Sequence, residues 1–136
     1  MLIQKRAPGM GQTGETLLAR KEGDEILFIN ALRHTDAEPL TLRISMDSEL
    51  ANPAKLATQG DSAIIRDRDY RGIPVVSAYR NIPLMNWGFV AKIDQTEAFS
   101  AVTILLNQIV LFSIGTVIIA IFMAIFVSNR FTSQII

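Results

Sequence analysis

Few residues of this 136-residue chain have types and spacings that could do chemistry. His34 is the single histidine and there is no cysteine, so a polar loop position explains it better than a metal site does. Asp67 and Asp69 bracket Arg68 near a turn and could form a carboxylate pair, although solvated charges with a turn-stabilising aspartate are the better interpretation. Nothing arranges a nucleophile, a base and an oxyanion donor. The sequence therefore predicts no catalytic residue, no enzyme activity for this chain, no metal and no cofactor.

The candidates for ligand binding are Tyr79 and Arg80, in a predicted strand, and Arg33. An arginine can hold a carboxylate through two parallel hydrogen bonds. The simpler alternative, which is favoured, is an arginine whose stem packs on the sheet while its charge stays at the rim. The formal net charge is zero and no basic tract stands out, so nucleic-acid binding is not expected.

The elements that must position these residues are mostly strands. Turn signals and alternating polarity predict a hairpin, a third strand, a short helix and three further strands. In the last strand Trp87 and Phe89 are expected in the core, on the face opposite Lys92. The fold class is predicted to be α+β, an antiparallel sheet with helical cover followed by one transmembrane helix. The predicted bounds are Thr16–Arg20, Ile26–Leu32, Leu40–Ile44, Pro53–Gln59 for the helix, Ser62–Arg66, Ile73–Arg80 and Trp87–Ile93.

A long apolar helix is predicted to follow the last strand without a linker. Asp94 and Glu97 have the spacing of a capping box, which starts the helix near Gln95. No charged residue lies between Ala98 and Asn129, and Ile109–Val127 is an apolar run long enough to span a bilayer. The predicted organisation is a soluble module over residues 1–94, a signalling and transmembrane helix over 95–128, and the start of a linker over 129–136.

Several segments, taken in order, resemble one family. They are Gln12–Leu18 (QTGETLL), Asp69–Val76 (DYRGIPVV), Ala78–Arg80 (AYR), Trp87–Asp94 (WGFVAKID) and Glu97–Phe99 (EAF). Together they resemble the membrane-proximal, PAS-like module of a double Cache sensor domain, over roughly Gly9–Phe99. Residues 129–136 are similar to the opening of a HAMP linker, without its usual proline.

This resemblance implies an extracytoplasmic sensing module of a bacterial receptor, in the inner membrane. A small-molecule ligand or a periplasmic protein would act on the sheet, and Ile93, Asp94 and Glu97 would relay the change to the helix. The output would be a missing cytoplasmic histidine kinase or, next, a nucleotide or diguanylate cyclase. Such receptors work as homodimers, here through the transmembrane helix, and the chain would be a fragment of one.

The alternative is a tail-anchored membrane protein with a cytosolic binding or scaffold domain. Charge counting does not decide the orientation, because Arg130 alone stands against Lys92 and Arg80 on the other flank.

Overall fold

The computed structural model describes residues 9–133, which form a six-stranded antiparallel sheet, a short helix and a long helix. The chain divides into two compact units, Met1–Ala98 and Phe99–Ile136. The curled sheet has the strand order β3-β2-β1-β6-β5-β4. The α+β class and the long C-terminal apolar helix are therefore confirmed. The elements are β1 Glu15–Glu22, β2 Glu25–Phe28, β3 Arg43–Ser45, α1 Asn52–Thr58, β4 Ala63–Arg68, β5 Pro74–Ile82, β6 Trp87–Asp94 and α2 Gln95–Thr132.

Tight turns join neighbouring strands of the sheet. Gly23 connects β1 to β2 with a φ of 61°, and Gly72 precedes β5 with a φ of 78°, values that glycine adopts without steric cost. The β5–β6 turn places a non-glycine residue, Asn86, at a φ of 53°, which asparagine tolerates better than most residues. These turns match the predicted hairpins in place.

The core lies between one face of the sheet and α1. Proline in the first turn of α1 follows the usual preference for that position, and Ala54 and Ala57 bring the helix close to the strands. The largest apolar core side chains come from the strands and include Phe28, Ile26 and Val90. We call this side of the sheet the covered face, and the opposite side the outer face.

The prediction for the faces of β6 was wrong. Phe89 is 38% exposed and Trp87 is half-buried, whereas Val90 and Lys92 are 1% and 4% exposed. Gly88 explains which face of β6 is buried, because a Cβ at this position would lie only 2.7 Å from the Cβ of Ala57 in α1. The helix packs on the glycine, and the large aromatic side chains must then lie on the outer face.

Two predicted strands are shorter than expected. The second strand ends at Phe28 rather than Leu32, because the side chain of Asn30 takes over the pairing with β1. Its Oδ1 accepts from the Leu18 N–H at 2.7 Å, and its Nδ2 donates to the Thr16 carbonyl at 3.1 Å. The third strand begins at Arg43, since Leu40 adopts a φ of 65°, outside the β region.

The helix α2 begins at Gln95, as predicted, but it continues to Thr132. The boundary expected at 128 is therefore not a helix end, and residues 129–132 of the predicted linker are helical. At 1.5 Å per residue the 38-residue helix is about 57 Å long. Residues 134–136 of the linker prediction lie outside the described residues.

Candidate functional site

A chain of charged side chains runs along the covered face to the end of β6. Lys92 lies at its centre, with Nζ 2.9 Å from Glu15 Oε2 and 2.5 Å from Asp69 Oδ2. All three side chains are at most 2% exposed. Glu15 and Lys92 face each other directly across β1 and β6, so the sheet itself brings this pair together. We call the cluster formed by Glu15, Asp69, Arg71, Lys92 and Asp94 the ion chain.

Asp69 links the strands to the turn that precedes β5. Its Oδ1 accepts the backbone N–H groups of Arg71 and Ile73 at 2.8 and 3.2 Å. Its Oδ2 is shared between Lys92 and the Arg71 Nε, which lies 2.6 Å away. The predicted turn-stabilising role is thus present, but the expected solvated charge is wrong, because the carboxylate is buried and doubly paired. Asp67 bonds separately, to the Asn52 side chain at 2.7 Å, so the two aspartates form no carboxylate pair.

Arg71 extends the ion chain to the start of α2. One of its NH2 groups lies 2.5 Å from Oδ1 of Asp94, the last residue of β6. Gln95, the next residue, is the first of α2. The guanidinium therefore connects the buried Asp69 to the junction between the sheet and the helix.

The first turn of α2 is also bound by the loop that precedes β1. The Glu97 carboxylate accepts the Gln12 and Thr13 N–H groups, each at 2.7 Å, and the Thr13 hydroxyl as well. The Asp94 N–H, which a capping box assigns to Glu97, donates to Thr13 Oγ1 at 3.1 Å. Thr13 Oγ1 thus takes the place of the Glu97 carboxylate in the reciprocal bond of the capping box.

Glu15 ends the ion chain inside the core. Its Oε2 accepts the Tyr70 hydroxyl at 3.0 Å, and its Oε1 accepts the Arg33 backbone N–H. The Lys92 ammonium lies 4.6 Å from the centroid of the Tyr70 ring, within cation–π range. These contacts supply the hydrogen bonds that a buried charge requires.

The environment shifts the pKa values of several groups in a consistent way. Burial works to raise the pKa of Asp69, but Lys92 and then Arg71 outweigh it and hold that pKa below its usual range. Burial lowers the pKa of Arg71, but its bonds to Asp69 and Asp94 raise that pKa by more, so the net change is an increase. Burial, followed by the charge of Glu15, raises the pKa of the Tyr70 hydroxyl. Asp69 and Arg71 therefore stay ionised, and Tyr70 stays neutral, at neutral pH.

A cavity of about 10 Å³ lies beside the ion chain, between the sheet and α1. Its walls include Lys92, Asp69 and Ser77, and this volume corresponds to about one water molecule. Ser77 Oγ is fully buried and has no hydrogen-bond partner among the described residues. This void between the sheet and α1 is therefore lined mostly by apolar side chains and is smaller than a site for a ligand of ordinary size.

The three predicted ligand-binding residues do not converge. Tyr79 lies on the covered face and donates to Asp61 Oδ2 at 2.8 Å; burial, then this bond, raises its pKa. Arg80 is the next residue along β5 and is exposed on the outer face. Arg33 is bound to the loop that precedes β1, where its guanidinium donates to the Gly14 and Gly11 carbonyls at 2.6 and 3.2 Å. A shared carboxylate site formed by these residues is not present.

His34 is bound to the same loop, with its Nε2 3.0 Å from the Thr13 carbonyl oxygen. Among residues 9–133 no group of three or more histidine, aspartate or glutamate side chains is placed to hold a metal ion.

The predicted relay residues lie together at the end of β6. Asp94 and Glu97 are both bound, as described above, while Ile93 faces outward opposite Val76. Sequence reasoning missed Glu15 and Lys92. The alternation along β1 was a usable signal, because it puts Glu15 on the same side of the strand as the apolar Leu17 and Ala19. A charged side chain on a buried face requires a partner of opposite charge.

The helix α2 contains an apolar stretch that is a candidate for a membrane span. It contains an 18-residue window of mean hydropathy 2.8, and none of its residues is buried within the structure. Three hydroxyl groups in the helix bond within it: Thr103, Ser113 and Thr116 donate to carbonyls four residues earlier, at 3.1, 2.8 and 2.9 Å. By length and composition α2 could cross a membrane. Comparison of the chain with family models, curated proteins and solved structures finds no match.

Proposed function

We propose that this chain is the extracytoplasmic sensing module and signalling helix of a bacterial transmembrane receptor. An input at the sheet would be passed through the end of β6 to α2, and so to a cytoplasmic output domain, for which a histidine kinase is the first expectation and a cyclase the next. The likeness to the membrane-proximal Cache module supports this proposal.

The observation that carries the proposal is the ion chain ending at the strand–helix junction. β6 passes into α2 between Asp94 and Gln95 with no intervening linker. Asp94 is held by Arg71, and Arg71 is held by the buried Asp69. A movement of the β4–β5 turn relative to β6 must therefore break these bonds or carry the start of α2 with it.

The input itself is better suited to a partner protein than to a small molecule on the covered face. The cavity there has room for about one water molecule, and Tyr79 is already bound to Asp61. Any input changes the output only if it binds two states of the module with different affinities. In this proposal the Arg71–Asp94 pair, which is closed in the structure, would be open in the second state.

Membrane topology is the first test of this proposal. The chain has no cysteine, so a single Ser62→Cys variant gives one labelling site at an exposed position before β4. In intact bacterial cells an impermeant thiol reagent should label this variant, and a Ser128→Cys variant near the far end of α2 should react only after permeabilisation. Labelling in the opposite order would place the sheet in the cytosol, as in a tail-anchored protein, and would refute the sensor proposal.

Coupling to α2 and the expected homodimer can be tested together. Single cysteines introduced in turn at residues 99–108 should form intermolecular disulfides in membranes, strongest on one helical face. Arg71→Ala should change the relative yields along the series, because it removes the bond to Asp94. Arg20→Ala, which removes a surface pair with Glu22, is the matched control. A series without disulfides contradicts the homodimer, and an unchanged pattern in Arg71→Ala contradicts the relay.

A further inference from the structure

The residues that precede β1 are hydrogen-bonded on two opposite sides. On one side their N–H groups and the Thr13 hydroxyl hold the Glu97 carboxylate, in the first turn of α2. On the other side their carbonyls accept from Arg33 and His34, in the loop of residues 29–42 between β2 and β3. We call residues 11–14 the strap, because they connect that loop to the start of α2.

A single peptide group of the strap bonds both sides. The Gly11 carbonyl accepts from Arg33 at 3.2 Å. The Gln12 N–H, which belongs to the same peptide group, donates to Glu97 Oε1 at 2.7 Å. A peptide group is planar and its C=O and N–H point in opposite directions, so it cannot turn away from one partner and keep the other. Rotation of this group therefore breaks the bond to the β2–β3 loop and the bond to α2 together.

Thr13 is bonded on both sides as well. Its N–H donates to Glu97 Oε2 at 2.7 Å, and its hydroxyl accepts the Asp94 N–H at 3.1 Å, at the end of β6. Its carbonyl lies 3.0 Å from His34 Nε2, which must be the donor because a carbonyl oxygen only accepts. Displacement of His34 thus acts on the residue that holds two positions at the strand–helix junction.

The close approach of the strap to α2 depends on Gly11. Its φ is 64°, and a Cβ at this position would overlap the Glu97 carboxylate. Arg33 supports the strap a second time, because its guanidinium also donates to the Gly14 carbonyl at 2.6 Å. The loop therefore braces the backbone conformation in which the strap N–H groups face the carboxylate.

We propose that the strap couples the β2–β3 loop to the start of α2, so that displacement of this loop releases the first turn of α2 from the strap. Arg33 and His34 are positioning residues in this device, since they act on α2 through the strap. The inference does not rest on the proposed function, because it concerns the contacts at the start of α2 whatever that helix controls.

The β2–β3 loop is suited to receive an input. It is long for a connection between neighbouring strands, and residues 38–41 are exposed. The backbone N–H of Arg33 also donates to Glu15, at the buried end of the ion chain. The loop thus contacts both the strap and the ion chain, which are the two attachments of the strand–helix junction.

Amide hydrogen exchange of the full chain in detergent micelles, followed by NMR, tests this coupling. The reporters are the N–H groups of Thr13 and Asp94, which are bonded at the junction. Arg33→Ala removes both guanidinium bonds but keeps the backbone N–H that binds Glu15. We expect both reporters to exchange about fivefold faster in this variant, the factor that corresponds to one hydrogen bond of ordinary net strength.

Two controls separate this coupling from a general loosening of the sheet. Arg20→Ala, which removes an exposed pair with Glu22 on β1, should leave both reporters unchanged. The N–H groups of Arg71 and Ile73, which are held by Asp69, should keep their exchange rates in every variant.

A rescue and a double variant test the two ends of the strap. His34→Ala should speed exchange of the same reporters, whereas His34→Gln, whose amide N–H can donate in place of Nε2, should restore slow exchange. Glu97→Gln breaks the link from the α2 side. Combined with Arg33→Ala, it should accelerate exchange at Asp94 by clearly less than the product of the two single effects, because both changes open the same link.

Three outcomes would overturn the inference. Unchanged reporters in Arg33→Ala, or exchange in His34→Gln as fast as in His34→Ala, would show that these bonds do not support the strap. Equal acceleration at Arg71 and Ile73 would indicate loosening of the whole sheet instead. Effects of Arg33→Ala and Glu97→Gln that simply multiply would show two independent contacts rather than one coupling.

Discussion

Replacing Lys92 by methionine should lower the free energy of unfolding far more than a lysine substitution in a strand usually does. The ammonium lies 2.9 Å from Glu15 and 2.5 Å from Asp69, with the side chain 2% exposed. At an effective dielectric constant of about 20, pairs at these distances attract by about 6 and about 7 kcal/mol before desolvation is subtracted. Removing one partner of such a buried pair typically costs about 3–5 kcal/mol, because the other charge is left uncompensated.

Protonation sets the scale of that cost independently. Asp69 keeps Arg71 in the variant, so one carboxylate is left without a cation. A buried carboxylate in this position takes up a proton, which at pH 7 costs about 1.4 kcal/mol for each pH unit above an ordinary pKa near 4, or about 4 kcal/mol in all. We therefore expect Lys92→Met to lose about 4 kcal/mol at pH 7 and about 1 kcal/mol at pH 5.

The assay is urea unfolding of the full chain in detergent, followed through the fluorescence of Trp87, which lies in β6. Lys21→Met, the same substitution at an exposed position of β1, should change the free energy of unfolding by less than about 0.5 kcal/mol. The double variant Lys92→Met with Glu15→Gln should recover most of the loss, because it removes the uncompensated charge. A loss below about 1 kcal/mol at pH 7, or one that does not shrink at pH 5, would refute the reasoning.

Three further predictions concern the covered face. Gly88→Ala should destabilise by about 1–3 kcal/mol in the same urea assay, since the added Cβ would lie 2.7 Å from the Cβ of Ala57; no loss would contradict that packing. Ser77→Ala should stabilise by about 1 kcal/mol, because it removes a buried hydroxyl without a described partner; a comparable loss would instead indicate a bound water in the cavity. Asp69 has a lowered folded pKa, so its contribution is present above the unfolded pKa near 4 and is lost as the pH falls through the folded value. Asp69→Asn should therefore weaken the fall of the free energy of unfolding at acid pH. An unchanged fall would contradict the lowered pKa assigned to Asp69.

The sequence predicted the class of fold and most elements because their signals are local. Turn residues such as Gly23 and Gly72 set the hairpins, and the proline of α1 sets its first turn. The apolar run needs no tertiary partner to be recognised, so the long helix was evident as well. The end of α2 was not, since Asn129 and Arg130 are compatible with a helix and nothing in them stops it.

The site was harder to predict because its bonds join residues far apart in the chain. Glu97 is bound by Gln12 and Thr13, and Lys92 by Glu15 and Asp69. Such pairs follow from the order of strands in the sheet, which alternation of polarity does not specify. The charge of Arg33 suggests a site for a carboxylate ligand, yet its guanidinium donates to backbone carbonyls of the loop before β1. The spacing of Asp94 and Glu97 did identify the start of α2, although the Asp94 N–H bonds Thr13 rather than Glu97.

The faces of β6 show why the ion chain matters to the fold itself. Hydrophobicity alone favours burial of Trp87, Phe89, Ala91 and Ile93, and a register shift of one residue in β6 would place those side chains against α1. The observed register buries Gly88, Val90 and Lys92 instead. Two features specify it: the close approach of α1 at Gly88 and the pairing of Lys92 with Glu15 directly across the strands.

This choice of register leaves the more apolar face of β6 uncovered by α1. An exposed face that is not needed for the core contributes little to stability, and a chain under no other constraint can carry polar residues there at little cost. Phe89, which is 38% exposed, and Ile93 instead keep this side of the strand apolar. The same strand therefore uses its buried charges to fix its register, and the apolar character of its outward side is not something that this register requires.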